Sequence, residues 1–134
     1  KYMKAITQSW LNYAEIDLQS CKKLLEDEFL TNSVAFHAQQ VVEKCFKAMY
    51  EENNLKVPRI HSLLRLYDGI SEHIEFEIDE SMLEKTDAVY TETRYPGDLG
   101  LLPEGKPSTE NAKSLYEFAE YIYQNTIEQM TKKE

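Results

Sequence analysis

The 134-residue sequence is poor in the residues that interrupt regular structure, with only four glycines and four prolines. Because glycine and proline punctuate turns, their scarcity favours a few long helices over many short strands. No apolar run approaches the roughly 20 residues that a membrane-spanning helix needs. The first residues also lack the apolar segment of a secretory signal. We therefore expect a cytoplasmic protein that does not enter a membrane.

Cysteine is scarce as well, with Cys21 and Cys45 the only two. Both fall on the apolar stripes of predicted helices, which is typical of small buried hydrophobic residues and not of a disulfide framework. The cysteines form no C-x-x-C pair and the three histidines form no H-E-x-x-H motif, so we expect no metal site. Glycine-rich phosphate loops and the G-x-S-x-G element are absent too, so no motif predicts a cofactor.

Positive charge is the third shortage, because 15 Lys and Arg stand against 24 Asp and Glu, a net charge of -9. This balance argues against RNA as a partner, since a backbone-binding surface needs a basic face. The charge is nevertheless uneven: nine acids and one base lie between Asp68 and Glu92, whereas residues 43–65 carry five bases and three acids. The second zone leaves room for a small anion site.

Apolar residues recur at three- and four-residue steps, the pattern of amphipathic helices. The predicted helices cover about residues 5–25, 34–52, 62–68, 79–91 and 108–131. We place the start of the second helix directly after Thr31-Asn32-Ser33, which are good N-cap residues, and a cap for the fourth at Asp79. Gly69 is predicted to end the third helix.

The remaining stretches complete the predicted architecture. Ile74, Phe76 and Ile78 alternate with acids as a short strand would, but no partner strand is evident, so we interpret them as an extended link. Residues 93–108 form a long irregular loop rich in glycine and proline. We predict a single all-α domain over residues 1–134, an up-and-down antiparallel bundle of four to five helices.

One side of the second predicted helix is unusually polar. Its polar positions, which step by three and four residues, are His37, Gln40, Lys44 and Lys47, with Gln39 and Glu43 in the adjacent row. The plain interpretation is a solvated face carrying Gln40–Lys44 and Glu43–Lys47 pairs, each worth a few tenths of a kcal/mol. The alternative is a ligand site, because a chain that folds back at Pro58 would bring His61 towards the C-terminal half of this helix.

The predicted loop opens with the string Thr93-Arg94-Tyr95-Pro96. An arginine fork can clamp a phosphate, and a neighbouring tyrosine can stack on a base. Alternatively, Arg94 pairs with an acid such as Glu92 and Tyr95 packs the loop down. The sequence leaves both interpretations open.

A wider pattern runs along most of the chain. Its elements are Trp10, Ala14, Asp17-Leu18, the block Ala35 to Ala48, Pro58, His61, Leu63-Leu64, Tyr90 and Arg94-Tyr95-Pro96. In order and spacing this pattern resembles the HEPN domain family of small prokaryotic proteins. The resemblance implies a helical bundle that usually forms a homodimer and is often encoded beside, or fused to, a small nucleotidyltransferase. Some members are toxins paired with such an antitoxin, some are metal-independent ribonucleases, and the family name reflects proposed nucleotide binding.

The ribonuclease members carry an arginine followed four to six residues later by a histidine. No histidine follows Arg94 at that distance, and the Arg59–His61 and Arg65–His73 spacings do not match either. We therefore favour a non-catalytic protein that binds a nucleotide or a nucleotidyltransferase partner. The candidate binding residues are Gln40, Lys44, Lys47, His61, Arg94 and Tyr95. Two alternatives stay open: a ribonuclease toxin that combines Arg94 with His61 or Tyr95, and a purely structural helical interaction module.

Overall fold

The computed structural model describes residues 2–92 and 106–132. Within these ranges the chain forms five α-helices and no strand, which confirms the predicted all-α class. The helices are α1 (Ala5–Leu24), α2 (Thr31–Glu52), α3 (Leu63–Ile70), α4 (Glu80–Glu92) and α5 (Thr109–Thr131), with short 3-10 turns at Glu28–Leu30 and Ser71–His73. Most of the predicted irregular loop, including residues 94 and 95, lies outside the described residues.

The first two helices form an antiparallel pair. Trp10 in the first half of α1 contacts Glu51 near the end of α2, and Cys21 near the end of α1 contacts Val34 near the start of α2. Helix α2 also contacts α3, α4 and α5, so it is covered on several sides and is the central helix of the bundle. This agrees with its wide apolar stripe in the sequence.

The core is one cluster of apolar side chains contributed by all five helices. Its largest fully buried members include Leu11, Phe46, Leu66, Leu83 and Ile122. Burying a side chain of this size contributes about 1.5–3 kcal/mol, so the core dominates the stability of the bundle. Across the described ranges, no helix combines the length and apolar character needed to cross a bilayer.

Polar side chains fix the starts of three helices near the predicted positions. Ser62 accepts a hydrogen bond from the Arg65 backbone N–H at 3.2 Å, and Ser108 accepts from Asn111 at 3.0 Å. Asp79 Oδ1 accepts from the Met82 backbone N–H at 3.1 Å, which confirms the predicted cap. Each bond satisfies an N–H that has no partner within its helix.

The start of α2 differs from the prediction. The helix begins at Thr31, so the three expected capping residues lie in its first turn, and Leu30 precedes them without a side-chain cap. The reason is the 3-10 turn before it, which starts where Asp27 Oδ1 accepts from the Phe29 backbone N–H at 2.9 Å. That turn leads straight into the helix, so no separate cap is needed.

The end of α3 also differs, because the helix passes through Gly69 and finishes at Ile70. Ile70 is completely buried. Burial of this side chain favours continuing the helix by one residue past the glycine, which the sequence pattern placed at the boundary.

The link between α3 and α4 is extended, as interpreted from the sequence, and it is held by α5 and not by a partner strand. Gln129 accepts from the Glu75 backbone N–H at 2.9 Å and donates to the His73 carbonyl at 2.7 Å. The Tyr121 hydroxyl donates to the Glu77 carbonyl at 2.6 Å. Side chains of one helix thus satisfy backbone groups that a strand would have paired.

Both cysteines are free and buried, as predicted. Burial raises the pKa of the Cys21 and Cys45 thiols to about 12. Because the thiolate is the reactive form, neither should react with a chromogenic disulfide reagent in the folded protein, and both should react after denaturation. Counting released chromophore with and without denaturant tests this, and a thiol that reacts at once in native protein would contradict it.

Candidate functional site

A buried carboxylate organises the polar side of α2. Glu43 is only 4% exposed. It accepts hydrogen bonds from Lys47 Nζ at 2.9 Å and from Gln39 Nε2 at 3.1 Å, and its Oε2 lies 3.1 Å from His61 Nδ1. Gln40 Nε2 reaches the same carboxylate at 3.4 Å. The side chains therefore form a network around one negative charge.

The solvated-face interpretation of this helix side is wrong in its central part. Gln39, Glu43 and Lys47 are all buried, because α1 and the segment before α3 cover them. The predicted Glu43–Lys47 pair is confirmed at 2.9 Å. The predicted Gln40–Lys44 pair is not formed, since Gln40 donates to Gln39 at 2.7 Å and Lys44 pairs elsewhere.

Contacts with α2 and α4 hold His61 in place. Gln39 Nε2 donates to the His61 carbonyl at 3.1 Å, and the imidazole stacks on the Tyr90 ring of α4 with centroids 4.8 Å apart. Asp87 of α4 accepts from the Leu63 backbone N–H at 2.6 Å, which ties α4 to the start of α3. The prediction that His61 approaches the C-terminal half of the second helix is confirmed.

A cleft of about 380 Å³ opens beside this network. Its lining residues are Trp10, Lys47, Val57, Pro58, Arg59 and His61. The Trp10 indole N–H donates to Glu51 at 3.2 Å, which fixes the ring, and Lys47 Nζ lies 5.7 Å from the ring centroid. One opening thus combines an aromatic ring, an apolar wall and several hydrogen-bond donors.

The cations of the cleft differ in how their charge is balanced. Lys47 is paired with Glu43 and is only 6% exposed. Arg59 is exposed, and within the described ranges it forms no ion pair. Two other depressions, of about 470 and 430 Å³, lie along α1 and beside α5; the first is lined by one acid and one lysine, and the second by three acids. The Arg59 cleft is therefore the better site for an anion.

Lys44 lies at a second cluster, between α1 and α2. It pairs with Asp17 Oδ2, while His37 Nδ1 lies 2.7 Å from Asp17 Oδ1. Burial raises the pKa of the Asp17 carboxyl, but hydrogen bonds from His37 and Lys44, together with their charges, lower it by more, and the net result lies below the ordinary value. Asp17 is therefore an ionised carboxylate held by two donors.

The lowered pKa of Asp17 makes folding sensitive to acid. Because its folded pKa lies below the unfolded value of about 3.9, the stabilisation is complete above that value and is lost as pH falls through the folded pKa. Asp17→Asn should be less stable than the wild type near neutral pH, and the difference should shrink below about pH 4. Urea unfolding across pH measures this, with the exposed Glu84→Gln as control. A difference that stays constant into acid would contradict it.

The comparisons with known proteins identify the fold and the family. The family model described as HEPN domain matches residues 7–130, which include most of α1, all of α2 and the residues that line the cleft. The chain belongs to the HEPN domain family. A solved structure, that of TT1696 from Thermus thermophilus, matches with a TM-score of 0.73 at 24% identity, covering 92% of this chain and 97% of that chain. At this identity the likeness shows the fold alone. No curated protein matches the chain.

In this HEPN domain, four of the six predicted site residues can be located. Gln40, Lys47 and His61 meet around Glu43, whereas Lys44 belongs to the Asp17 cluster. Arg94 and Tyr95 lie outside the described residues. No group of metal-ligating side chains occurs in residues 2–92 or 106–132.

Sequence reasoning missed the centre of the network and, among the residues that line the cleft, the Trp10 ring and the Arg59 cation. Glu43 looked like one half of a surface pair, and nothing local marks it as buried. Trp10 lies far from the second helix in sequence, although the resemblance pattern includes it. Arg59 had a usable signal, since it is a base next to Pro58 in the one basic-leaning zone of the chain.

Proposed function

We propose that this HEPN domain is a non-catalytic binding module that takes a nucleotide in the cleft lined by Trp10, Lys47, Arg59 and His61. The observation that carries this proposal is the meeting of a fixed indole ring and an exposed guanidinium, which forms no ion pair with any described residue, at one opening of about 380 Å³. That volume falls in the range typical of small-molecule sites.

Each part of a nucleotide has a matching group. Stacking of a base on an aromatic side chain contributes about 1–3 kcal/mol, and Trp10 with the apolar wall of Val57 and Pro58 provides such a surface. The guanidinium of Arg59 has the planar fork that binds phosphate oxygens in pairs. Lys47 is already neutralised by Glu43, so in this proposal it shapes the cleft and Arg59 supplies the charge.

Three observations support a binding role over catalysis. The sequence lacks the arginine–histidine spacing of the ribonuclease members. The carboxylate of Glu43 beside His61 and a net charge of -9 both disfavour a long phosphodiester. The homodimer, the nucleotidyltransferase partner and a role in a toxin–antitoxin pair stay predictions from the family, and Arg94 and Tyr95 stay candidate phosphate and base contacts.

Thermal unfolding with millimolar AMP or ATP tests the proposal. A ligand present at 100 times its dissociation constant stabilises the folded state by about 2.7 kcal/mol. Arg59→Ala should weaken binding about tenfold or more, because hydrogen bonds to charged groups contribute about 1.5–3 kcal/mol. Arg65→Ala is the matched control, since Arg65 is also exposed, lies nearby in sequence and does not line the cleft.

Two results would count against the proposal. If millimolar nucleotide does not raise the melting temperature of the wild type, nucleotides are not the ligands of this protein. Equal weakening by the Arg59 and Arg65 substitutions would show that the response reflects overall charge and not this cleft.

A further inference from the structure

The Asp17 cluster takes no part in the proposed nucleotide cleft, and its geometry suggests chemistry of its own. Asp17 lies in the middle of α1 and His37 in the first half of α2, so two long packed helices set their positions. His37 Nδ1 lies 2.7 Å from Asp17 Oδ1, and Lys44 Nζ donates to the other carboxylate oxygen. The Asp17 side chain is 9% exposed and that of His37 is 29% exposed.

The carboxylate determines which imidazole nitrogen is reactive. Facing an ionised carboxylate, Nδ1 carries the ring proton, so Nε2 holds the lone pair of the neutral ring. Among the described residues nothing bonds to Nε2, and Nε2 is not one of the buried polar atoms without a partner, which are Thr31 Oγ1 and Asn32 Oδ1. Nε2 therefore meets solvent as an oriented nucleophile.

We propose that His37 Nε2 is a phosphoryl-acceptor site served by a small activated donor of the phosphoramidate class. The Nε2 lone pair forms a bond to phosphorus while the P–N bond of the donor breaks, and ammonia leaves with the electron pair of that bond. The ring becomes a phospho-imidazolium that keeps its proton on Nδ1. No oxidant, reductant or further proton donor is needed.

The neighbours of His37 have defined parts in this step. Asp17 is a positioning residue: it holds the ring in the reactive tautomer and faces the positive charge that develops, as the carboxylate of a hydrolase triad does. Lys44 offsets the negative charge of Asp17, so the arriving phosphoryl group does not meet an uncompensated anion.

The other two histidines lie in different surroundings. His61 Nδ1 lies at 3.1 and 3.3 Å from the Glu43 oxygens, which it shares with Lys47 and glutamine donors, and its ring stacks on Tyr90. The His73 ring has no carboxylate partner within the described ranges. His73 therefore serves as the internal control.

The test incubates the full chain with phosphoramidate and maps phosphate by peptide mass spectrometry, with acid lability and alkali stability identifying phosphohistidine. We expect label at His37, loss of that label in His37→Gln, and wild-type labelling in His73→Gln. Asp17→Asn should slow labelling about tenfold or more, and Asp17→Glu, which keeps a carboxylate, should restore part of the rate.

Several results would overturn the proposal. These are an unlabelled wild type, label mapped to His61 or His73 in place of His37, and an Asp17→Asn protein that is folded and labels at the wild-type rate. If His37→Gln does not fold, the peptide map of the labelled wild-type protein still decides the site. The nucleotide proposal does not enter this experiment, so the two can fail separately.

Discussion

Replacing Glu43 by leucine should lower the free energy of unfolding by about 3–5 kcal/mol, because it leaves the buried Lys47 ammonium without its carboxylate. Lys47 is 6% exposed, so water cannot replace the lost partner without local rearrangement. The Gln39 amide and the His61 ring lose their acceptor at the same time. In a domain of this size the melting temperature should fall by about 10–20 °C, measured by circular dichroism.

A second substitution separates charge burial from a general packing effect. Glu43→Leu combined with Lys47→Met removes both charges, and an apolar pair of similar volume is often as stable as the ion pair it replaces. The double variant should therefore recover most of the lost stability. Glu26→Ala is the surface control, since the Lys23–Glu26 pair is exposed and should contribute less than about 1 kcal/mol. A double variant less stable than Glu43→Leu alone would contradict this account of the network.

Gly69→Ala should destabilise the protein by about 1–3 kcal/mol, the cost typical of overpacking. The usual effect of this substitution on stability is the opposite, since alanine is more favourable than glycine inside a helix by about 1 kcal/mol. A Cβ at position 69 would overlap the Tyr50 hydroxyl oxygen and lie 3.2 Å from Tyr50 Cζ. Tyr50 has little freedom to move, because it is 5% exposed and its hydroxyl donates to the Leu66 carbonyl at 2.8 Å.

The Tyr50→Phe background tests that explanation. With the hydroxyl removed, the nearest remaining atom is a ring carbon, and Gly69→Ala should cost less than half of what it costs beside Tyr50. Urea unfolding of the two single variants and the double variant gives the coupling energy. Equal costs in both backgrounds would show that the hydroxyl is not what excludes a side chain here.

The helices could be predicted from the sequence because their signals are local. The apolar stripes of α1 and α5, and the caps at Asp79 and Ser108, depend on residues within one or two turns of each other. The predicted start of α2 is wrong because Asp27 begins a 3-10 turn that leads directly into the helix at Thr31, so the expected capping residues lie in the first helical turn. The end of α3 was misplaced because burial of Ile70 depends on residues distant in the chain.

The candidate site was harder to predict because its residues come from different helices and meet only when these helices pack together. The polar row on α2 located Lys47 and Gln40, and the turn at Pro58 indicated His61, yet the burial of Glu43 follows only once those parts are packed. Asp17 and His37 come from different helices and no spacing rule joins them. For the same reason the sequence predicted a Gln40–Lys44 pair, whereas Lys44 pairs with Asp17 of α1.

Fluorescence of Trp10 tests the nucleotide proposal most directly, since it is the single tryptophan of the chain and lines the cleft. Titration with AMP, excited where the base does not absorb, should give saturable quenching in the wild type and in Arg65→Ala, and about tenfold weaker binding in Arg59→Ala. A signal that does not saturate, or that is identical in all three proteins, would contradict binding at this cleft.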